Sequence, residues 1–437
     1  MTSNFLSLPA DSTSQQALAD QGLRYDTVAS DDAAAMRAWL DADMRGFHSA
    51  TASAALIEHE LATITGNRVT GIWDARTAQP EVPVATVSSW PMPLTVAPQQ
   101  TIDGWAISSV TVSPTHRRRG LARNLLLGEL RTAVAHGCAI AMLTVTQATI
   151  YGRFGFGPAA FSSAYTVDTQ RAVWSGPVPT GALSFVSQEV ALDIGPAIKE
   201  RVRLQTPGEV PVQQLWWKET LGLSPSSPAD SHEQLRVVCY SNENGDNDGL
   251  VVYRVESSDD HSSATLELVE LIAATPAAYA ALWRFVLEMD PITVVKATRR
   301  AVVEPLTWQV LDSRSVRKTD ERDHLWLRIL DVERVLASRA YAAAGALVLD
   351  VVDPDGFATG TYRLTTDANG TGSVERVDGA AAELRVGIAE LSSLLLGGLR
   401  AETLASAGRI AELVPGAALA FDRVFASATV PRLSTWF

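Results

Sequence analysis

The sequence predicts an α/β protein, α+β in its last third, built of three units. Three observations carry that expectation. A strand, a basic turn, a helix and a second strand follow one another between residues 105 and 144, a β-α-β order. A fainter copy of the same order runs from 264 to 298. Beyond residue 323, short strands alternate with turn sequences, of which Asp353-Pro354-Asp355-Gly356 is the strongest. The length of 437 residues, at roughly 150 per domain, agrees with three units.

In chain order, residues 1–23 are polar and small and read as a loosely ordered extension. A first domain, 24–165, opens with helices at 31–45 and 52–63 and a strand near 69–74. Pro80, Pro83, Pro91, Pro93 and Pro98 then limit the chain to short strands and loops. A strand at 105–112 leads through Ser113-Pro114-Thr115 to a helix at about 120–136. Leu121, Leu125, Leu126, Leu130, Ala133 and Val134 give that helix one apolar face, and Gly137 stops it. A strand at 139–144 precedes the aromatic, glycine-rich run from Tyr151 to Pro158.

The second unit, 166–322, carries an amphipathic helix at 212–221 and paired strands at 234–241 and 250–255. A strand, a helix and a strand follow at 264–272, 275–289 and 292–298. Its turn, Ala273-Ala274-Thr275-Pro276, has neither arginine nor glycine, so it reads as a degenerate repeat that keeps the fold and loses a phosphate site. The third unit, 323–437, opens with Leu325-Trp326-Leu327-Arg328-Ile329-Leu330 and a helix at 332–341. Strands at 346–352, 357–365, 372–377 and 382–388 lead into helices from Ala389 onward.

Composition narrows the function. Hydrophobic residues make 46% and charged residues 19% of the chain, which is the balance of folded protein. Acidic residues outnumber basic ones by 49 to 36, a net charge of −13, which disfavours nucleic acid as a main partner. Cys138 and Cys239 are too few for a disulfide framework or a multi-cysteine zinc site. The start, Met1 to Ala10, does not read as a secretory signal. No apolar run reaches the roughly 18 residues of a membrane span. A cytoplasmic protein without a membrane span is the expectation.

The sharpest local signal runs from Val110 through Thr111, Val112 and the basic turn Arg117-Arg118-Arg119-Gly120 to Leu121, Ala122 and Arg123. A strand ends, charge accumulates and small residues open a helix. Free N–H groups at a helix start favour a bound phosphate, and Gly120 and Ala122 let the backbone approach it. Arg117-x-x-Gly120-x-Ala122 resembles the acetyl-CoA motif of the Gcn5-related N-acetyltransferases (GNAT). With Tyr151-Gly152-Arg153-Phe154-Gly155-Phe156-Gly157, Trp326-Leu327-Arg328-Ile329 and the ending in Phe437, the chain resembles the Eis (enhanced intracellular survival) family from about residue 24 onward.

That resemblance implies two tandem GNAT-type domains, the second inactive, then a sterol-carrier-protein-like domain. It also implies a homohexamer that uses acetyl-CoA, without a metal, to acetylate amines, aminoglycosides among them in some members. Carried over, Val110, Thr111 and Val112 face the acetyl group and pantetheine arm. Arg117, Arg118, Arg119, Gly120, Leu121, Ala122 and Arg123 hold the pyrophosphate, and Thr146 and Gln147 lie beside the cofactor. Tyr151 matches the general acid and the α-carboxylate of Phe437 the general base.

The residues fit that chemistry on their own terms. An ammonium must lose a proton before it attacks a thioester, and an acid must protonate the departing thiolate. A tyrosine hydroxyl can donate that proton. The Trp436-Phe437 ending would be costly to expose, so the tail is expected to dock in an apolar groove. Other patterns are decoys. Gly155-Phe156-Gly157-Pro158 is no dinucleotide fingerprint, Asp246-Asn247-Asp248-Gly249 is a turn, and His59 lacks a partner histidine for zinc. His116 reads as a phosphate neighbour, and Trp216-Trp217 as core or subunit interface. No acid stands near Phe47-His48-Ser49 or next to Phe437, which points to a more apolar amine than a polycation. The rival readings are an acyl-CoA or lipid-binding scaffold and a protein lysine or N-terminal acetyltransferase.

Overall fold

The computed structural model describes residues 5–49, 53–145, 147–224, 227, 231–258, 262–377 and 379–437. Twelve strands form one sheet: β1 (Arg24–Val28), β2 (Arg68–Trp73), β3 (Ala85–Ala97), β4 (Gln100–Val112), β5 (Ile140–Thr144), β6 (Gly157–Asp168), β7 (Ala182–Val186), β8 (Arg236–Ser241), β9 (Asn247–Ser257), β10 (Ala264–Ala273), β11 (Ile292–Arg300) and β12 (Val316–Ile329). Their order across the sheet is β1-β2-β3-β4-β5-β12-β6-β11-β10-β9-β8-β7. The two halves repeat. β4 and β5 pair in parallel around the helix Leu121–His136, and β10 and β11 around the helix Pro276–Leu287.

The halves also exchange strands. β12 pairs with β5 of the first half, Leu327 opposite Met142, and β6 pairs with β11 of the second, Val167 opposite Val295. The boundary expected at 323 is therefore corrected, because Asp323–Ile329 belongs to the large sheet. Leu325, Leu327 and Ile329 face one core and Trp326 the other, so this segment is buried on both faces, and such a run does not say which sheet receives it.

Two further expectations are corrected. The stretch before residue 24 contains a docked helix, Ser12–Ala19, capped by Asp11, whose Oδ2 accepts from the Ser14 N–H at 2.7 Å. Arg131 grips Asp11 with Nε and Nη2 at 2.9 and 2.7 Å, and Leu18 is fully buried. Its polar residues are engaged in caps and cross-links, which composition alone does not reveal. The proline-rich stretch is the 13-residue strand β3. β2 stops opposite Ser89, so Pro91 and Pro93 lie where that edge of β3 has no strand to bond and a missing N–H costs nothing.

The third unit has a five-stranded sheet, in spatial order Gly372–Arg376, Gly360–Thr366, Gly345–Val352, Leu384–Gly387 and Ala411–Glu412. It shares one continuous core with the first half, running from Trp90, Ala106 and Met142 through Leu327 to Leu349, Phe421 and Leu433. Buried Arg328 fastens the joint. Its Nη2 meets Asp353 Oδ1 at 2.7 Å and its Nε donates to the Phe154 carbonyl at 2.7 Å. Removing one partner of such a buried pair costs about 3–5 kcal/mol. No helix among the described residues is long and apolar enough to cross a membrane.

Candidate active site

β4 and β5 pair only at Gly104–Ala106 opposite Ile140–Met142. Beyond that they part, leaving the β5-facing edge of β4 without a strand partner along Val110, Thr111 and Val112. A bulge at Ser109, with φ 54°, lies within this divergent stretch. The helix Ala33–Gly46 presses against it, since a Cβ on Gly46 would overlap the Thr111 side chain. The parting strands leave an open slot in the sheet.

The basic turn lies at one end of that slot. Gly120 occupies the N-cap in the left-handed region at φ 79° and supplies no side-chain cap, so the first N–H groups of the helix stay available. The space before it is open, the nearest atom to a Cβ there being Asn124 Nδ2 at 3.9 Å. Leu121 turns into the core, and Ala122 stands half-buried beside Gly120.

The arginines divide their work. Arg117 and Arg118 are exposed, Arg118 in the left-handed region at φ 63°. Arg119 leans toward Asp74 at 3.7 Å, and Arg123 reaches Asp355 of the third unit at 3.2 Å. Asp74 is the keystone of the turn. Hydrogen bonds from Arg76, at 2.7 Å from both Nε and Nη2, hold its carboxyl well below the usual carboxylate range. His116 Nε2 meets the same carboxyl at 3.2 Å. The expectation of a phosphate neighbour at His116 is corrected, because the ring is buried on Asp74 and braces the turn.

At the far end of β5, Gln147 is exposed, and Thr146 lies outside the described residues. Tyr151 closes the short helix Ala148–Tyr151. Its ring is 8% exposed and meets Phe156 edge-on at 6.3 Å, and burial raises its hydroxyl pKa. No hydrogen bond engages that hydroxyl among the described residues. The loop is held from behind, since a Cβ on Gly155 would stand 2.5 Å from Arg328 Nε.

The C-terminal residues reach the same strand end. Thr144 Oγ1 donates to the Phe437 backbone oxygen, part of the terminal carboxylate, at 3.0 Å, and the Phe437 ring meets Trp90 edge-on at 6.1 Å. Leu433 is fully buried, which anchors the segment by about 1.5–3 kcal/mol relative to an exposed leucine. Beside it opens a cavity of about 250 Å³, lined among others by Glu60, Trp90, Ser109, Trp216, Glu219 and Trp436.

This cavity revises the expectation that no acid stands near the acceptor. Glu60 comes from the helix Ala54–Ile64 and Glu219 from the helix Gln214–Thr220 in the other half. His59 Nε2 joins the two helices through Glu219 Oε1 at 2.9 Å. Burial raises the Glu60 pKa. Behind Ser109, burial pushes the Asp43 carboxyl up to about 7, against hydrogen bonds from Thr86 and Ser109. Of the tryptophan pair, Trp217 is core, and Trp216 is a wall of the cavity. The sequence signal for Glu60 is Glu58-His59-Glu60 itself, acids flanking the histidine that bridges to Glu219.

Among the described residues of the second half, side chains occupy the equivalent opening. Thr275 Oγ1 caps the helix Pro276–Leu287 by accepting from the Ala278 N–H at 3.2 Å. Buried Arg300 and Glu304, 3.0 Å apart, fill the space where β10 and β11 would part, with Tyr279 bonded to Glu304 and Arg300 Nη1 to the Leu271 carbonyl.

Comparison with known proteins agrees with this geometry. Residues 29–159 and 208–329 each match an acetyltransferase (GNAT) domain, and residues 332–434 match a sterol carrier protein domain. An N-acetyltransferase of Streptomyces avermitilis is 38% identical over 358 residues, covering 80% of this chain and 84% of the relative. The N-acetyltransferase Eis of Mycobacterium tuberculosis is 33% identical over 330 residues, 72% of this chain and 76% of the relative. The crystal structure of Eis1 from Mycobacterium abscessus superposes with a TM-score of 0.78 at 26% identity, over 95% of this chain and 100% of the other.

Proposed function

The chain belongs to the Eis-type N-acetyltransferases of the GNAT superfamily, and from that membership we propose that it passes the acetyl group of acetyl-CoA directly to a small cationic amine in the cavity beside Phe437. The observation that carries the reading is a meeting at one strand end. Thr144, the last residue of β5, holds Phe437, and Tyr151 follows seven residues after it. An acid and a base thus approach the slot from two sides.

Bound acetyl-CoA supplies a thioester, an acetyl group activated for attack by nitrogen. The N–H groups at Leu121–Arg123 and the exposed Arg117 and Arg118 hold its pyrophosphate. The open edge of β4 at Val110–Val112 aligns the pantetheine arm and acetyl group. The Phe437 carboxylate takes a proton from the ammonium, the amine nitrogen bonds to the acetyl carbon as the carbon–sulfur bond breaks, and Tyr151 protonates the sulfur. Glu60 and Glu219 attract the cation, while Trp90, Trp216 and Trp436 cover its apolar body and offer cation–π faces.

A panel of amines assayed for thiol release from acetyl-CoA tests this. Small amines carrying a cation and an apolar body should turn over, and protein lysines or N-termini should not. Turnover confined to proteins, or to no amine at all, would refute the substrate assignment.

Two further outcomes are expected. Calorimetric titration should give one CoA per chain, because the Thr275 cap and the Arg300–Glu304 pair fill the second site. Gly120→Asp, with a bulky anion at a left-handed position facing the phosphate, should abolish that binding. A stoichiometry of two, or an unchanged affinity, would refute the assignment.

Asp43 should make acceptor binding pH-dependent. Its raised pKa means that it is neutral below about 7 and ionised above. Affinity for a quaternary ammonium probe, whose own charge does not titrate, should therefore rise as pH passes upward through about 7. Asp43→Asn should remove that step and leave the probe bound with pH-independent affinity across it.

A further inference from the structure

Glu209 lies in the second half, in the linker before the helix Gln214–Thr220, and is 4% exposed. Its carboxylate is committed to the C-terminal segment. Oε2 accepts from the Ser434 N–H at 3.2 Å and from Ser434 Oγ at 2.9 Å, and Oε1 meets Arg432 Nε at 3.3 Å. The backbone around it is fixed in turn. The Glu209 carbonyl accepts from the Thr95 N–H at 3.1 Å and the Gly208 N–H donates to the Thr95 carbonyl at 2.8 Å, on the part of β3 that β2 leaves uncovered. The Arg432 N–H donates to the Pro207 carbonyl at 2.9 Å. Gly208 sits at φ 93°, and a Cβ there would stand 2.8 Å from the Arg432 carbonyl oxygen, so the two segments lie backbone to backbone.

The hold continues toward Phe437. His324, on β12 and 1% exposed, donates from Nε2 to the Thr435 carbonyl at 2.8 Å, and its ring meets Trp436 edge-on at 4.4 Å. Burial lowers the His324 pKa to about 4, so the ring is neutral at neutral pH and Nε2 carries the donated hydrogen. Thr144 Oγ1 then donates to an oxygen of the Phe437 carboxylate. Residues 432, 434, 435 and 437 are all fixed by partners outside the tail. Leu433 alone would anchor the segment by burial. A buried carboxylate that satisfies two donors of one residue adds register, because a slip of one residue would leave it charged and unpaired.

We propose that Glu209 is a positioning residue for acetyl transfer, setting the reach of the tail so that Phe437 stops at the acceptor cavity. On this view the second half, whose own cofactor slot is filled, has become part of the first half's active site. The proposal rests on the reading of the Phe437 carboxylate as the base.

The test is kinetic. Glu209→Ala should lower kcat about 10²-fold, the effect of displacing a catalytic group by about 1 Å, with the KM for acetyl-CoA unchanged. Glu209→Gln keeps an oxygen that can accept from Ser434 and should restore most of the loss, which separates register from charge and guards against an alanine variant that fails to fold. In a chain extended past Phe437, Glu209→Ala should cost nothing more, since both changes act through the same carboxylate. Wild-type kcat in Glu209→Ala, no rescue by glutamine, or fully additive losses would each overturn the proposal. Normal turnover of the extended chain refutes the base assignment instead, and the kcat of Glu209→Ala in the native chain then decides the positioning role by itself.

Discussion

Tyr151→Phe should fold, bind CoA with native affinity and acetylate about 10²–10⁴-fold more slowly, the usual contribution of a positioned general acid. The substitution deletes one oxygen. The ring keeps its edge contact with Phe156, and the hydroxyl has no partner among the described residues whose loss could loosen the loop. Burial raises its pKa, so it stays protonated well above neutral pH and is in the form an acid requires. The loss corresponds to about 3–5 kcal/mol of transition-state stabilisation, more than any packing effect of a single oxygen at this position. Comparison of kcat for one amine, with calorimetric CoA affinity as the control, checks it. An unchanged kcat would mean that the tyrosine only packs. The high-pH limb of the rate profile, where the native hydroxyl would ionise, should be absent from what activity remains.

How much of this was legible beforehand follows from how local each feature is. The basic turn was readable because the strand end, arginines, Gly120 and helix start fall within the fourteen consecutive residues Val110–Arg123, and each residue type has its own physical reason to be there. The acceptor cavity was not. Glu60 and Glu219 lie on helices from different halves and become neighbours only through the shared twelve-stranded sheet. Asp43 looks like any solvated helix acid until the bulge at Ser109 covers it. The exchange of β6 and β12 was equally hidden, since a strand buried on both faces, as Leu325–Ile329 is, reads the same in either sheet. The filled slot of the second half was half visible. Its turn lacks arginine and glycine, but the Arg300–Glu304–Tyr279 cluster that fills the slot joins residues with no common periodicity.

A C-terminal extension should be as damaging as the loss of Tyr151, and for a different reason. Under the proposed mechanism the proton acceptor is the α-carboxylate of Phe437, and an added residue converts it to an amide. An amide is too weak a base to accept the ammonium proton, and the new terminal charge lies displaced along the chain. Removing Phe437 should fail as well, because the carboxylate then falls one residue short and the contacts to Thr144 and Trp90 disappear. With a reference pKa of about 3.3–3.7 the native group is ionised at neutral pH, so its usefulness is governed by position. Position is what the structure supplies, through the buried Leu433, the grip on Ser434 and the Thr144 bond. Both variants should bind acetyl-CoA normally, because the pyrophosphate turn is held by Asp74 and takes no support from the tail. Turnover should fall about 10²–10⁴-fold in each. An extension at the other terminus, beyond the docked helix Ser12–Ala19, should leave the rate within about twofold, since no residue assigned to the reaction lies there. The measurement is kcat on one amine for the three proteins, each verified intact by mass. If the C-terminally extended enzyme works at the native rate, the carboxylate is not the base, and the acceptor must be sought in Glu60 and Glu219 of the cavity and in Asp43 behind its Ser109 wall.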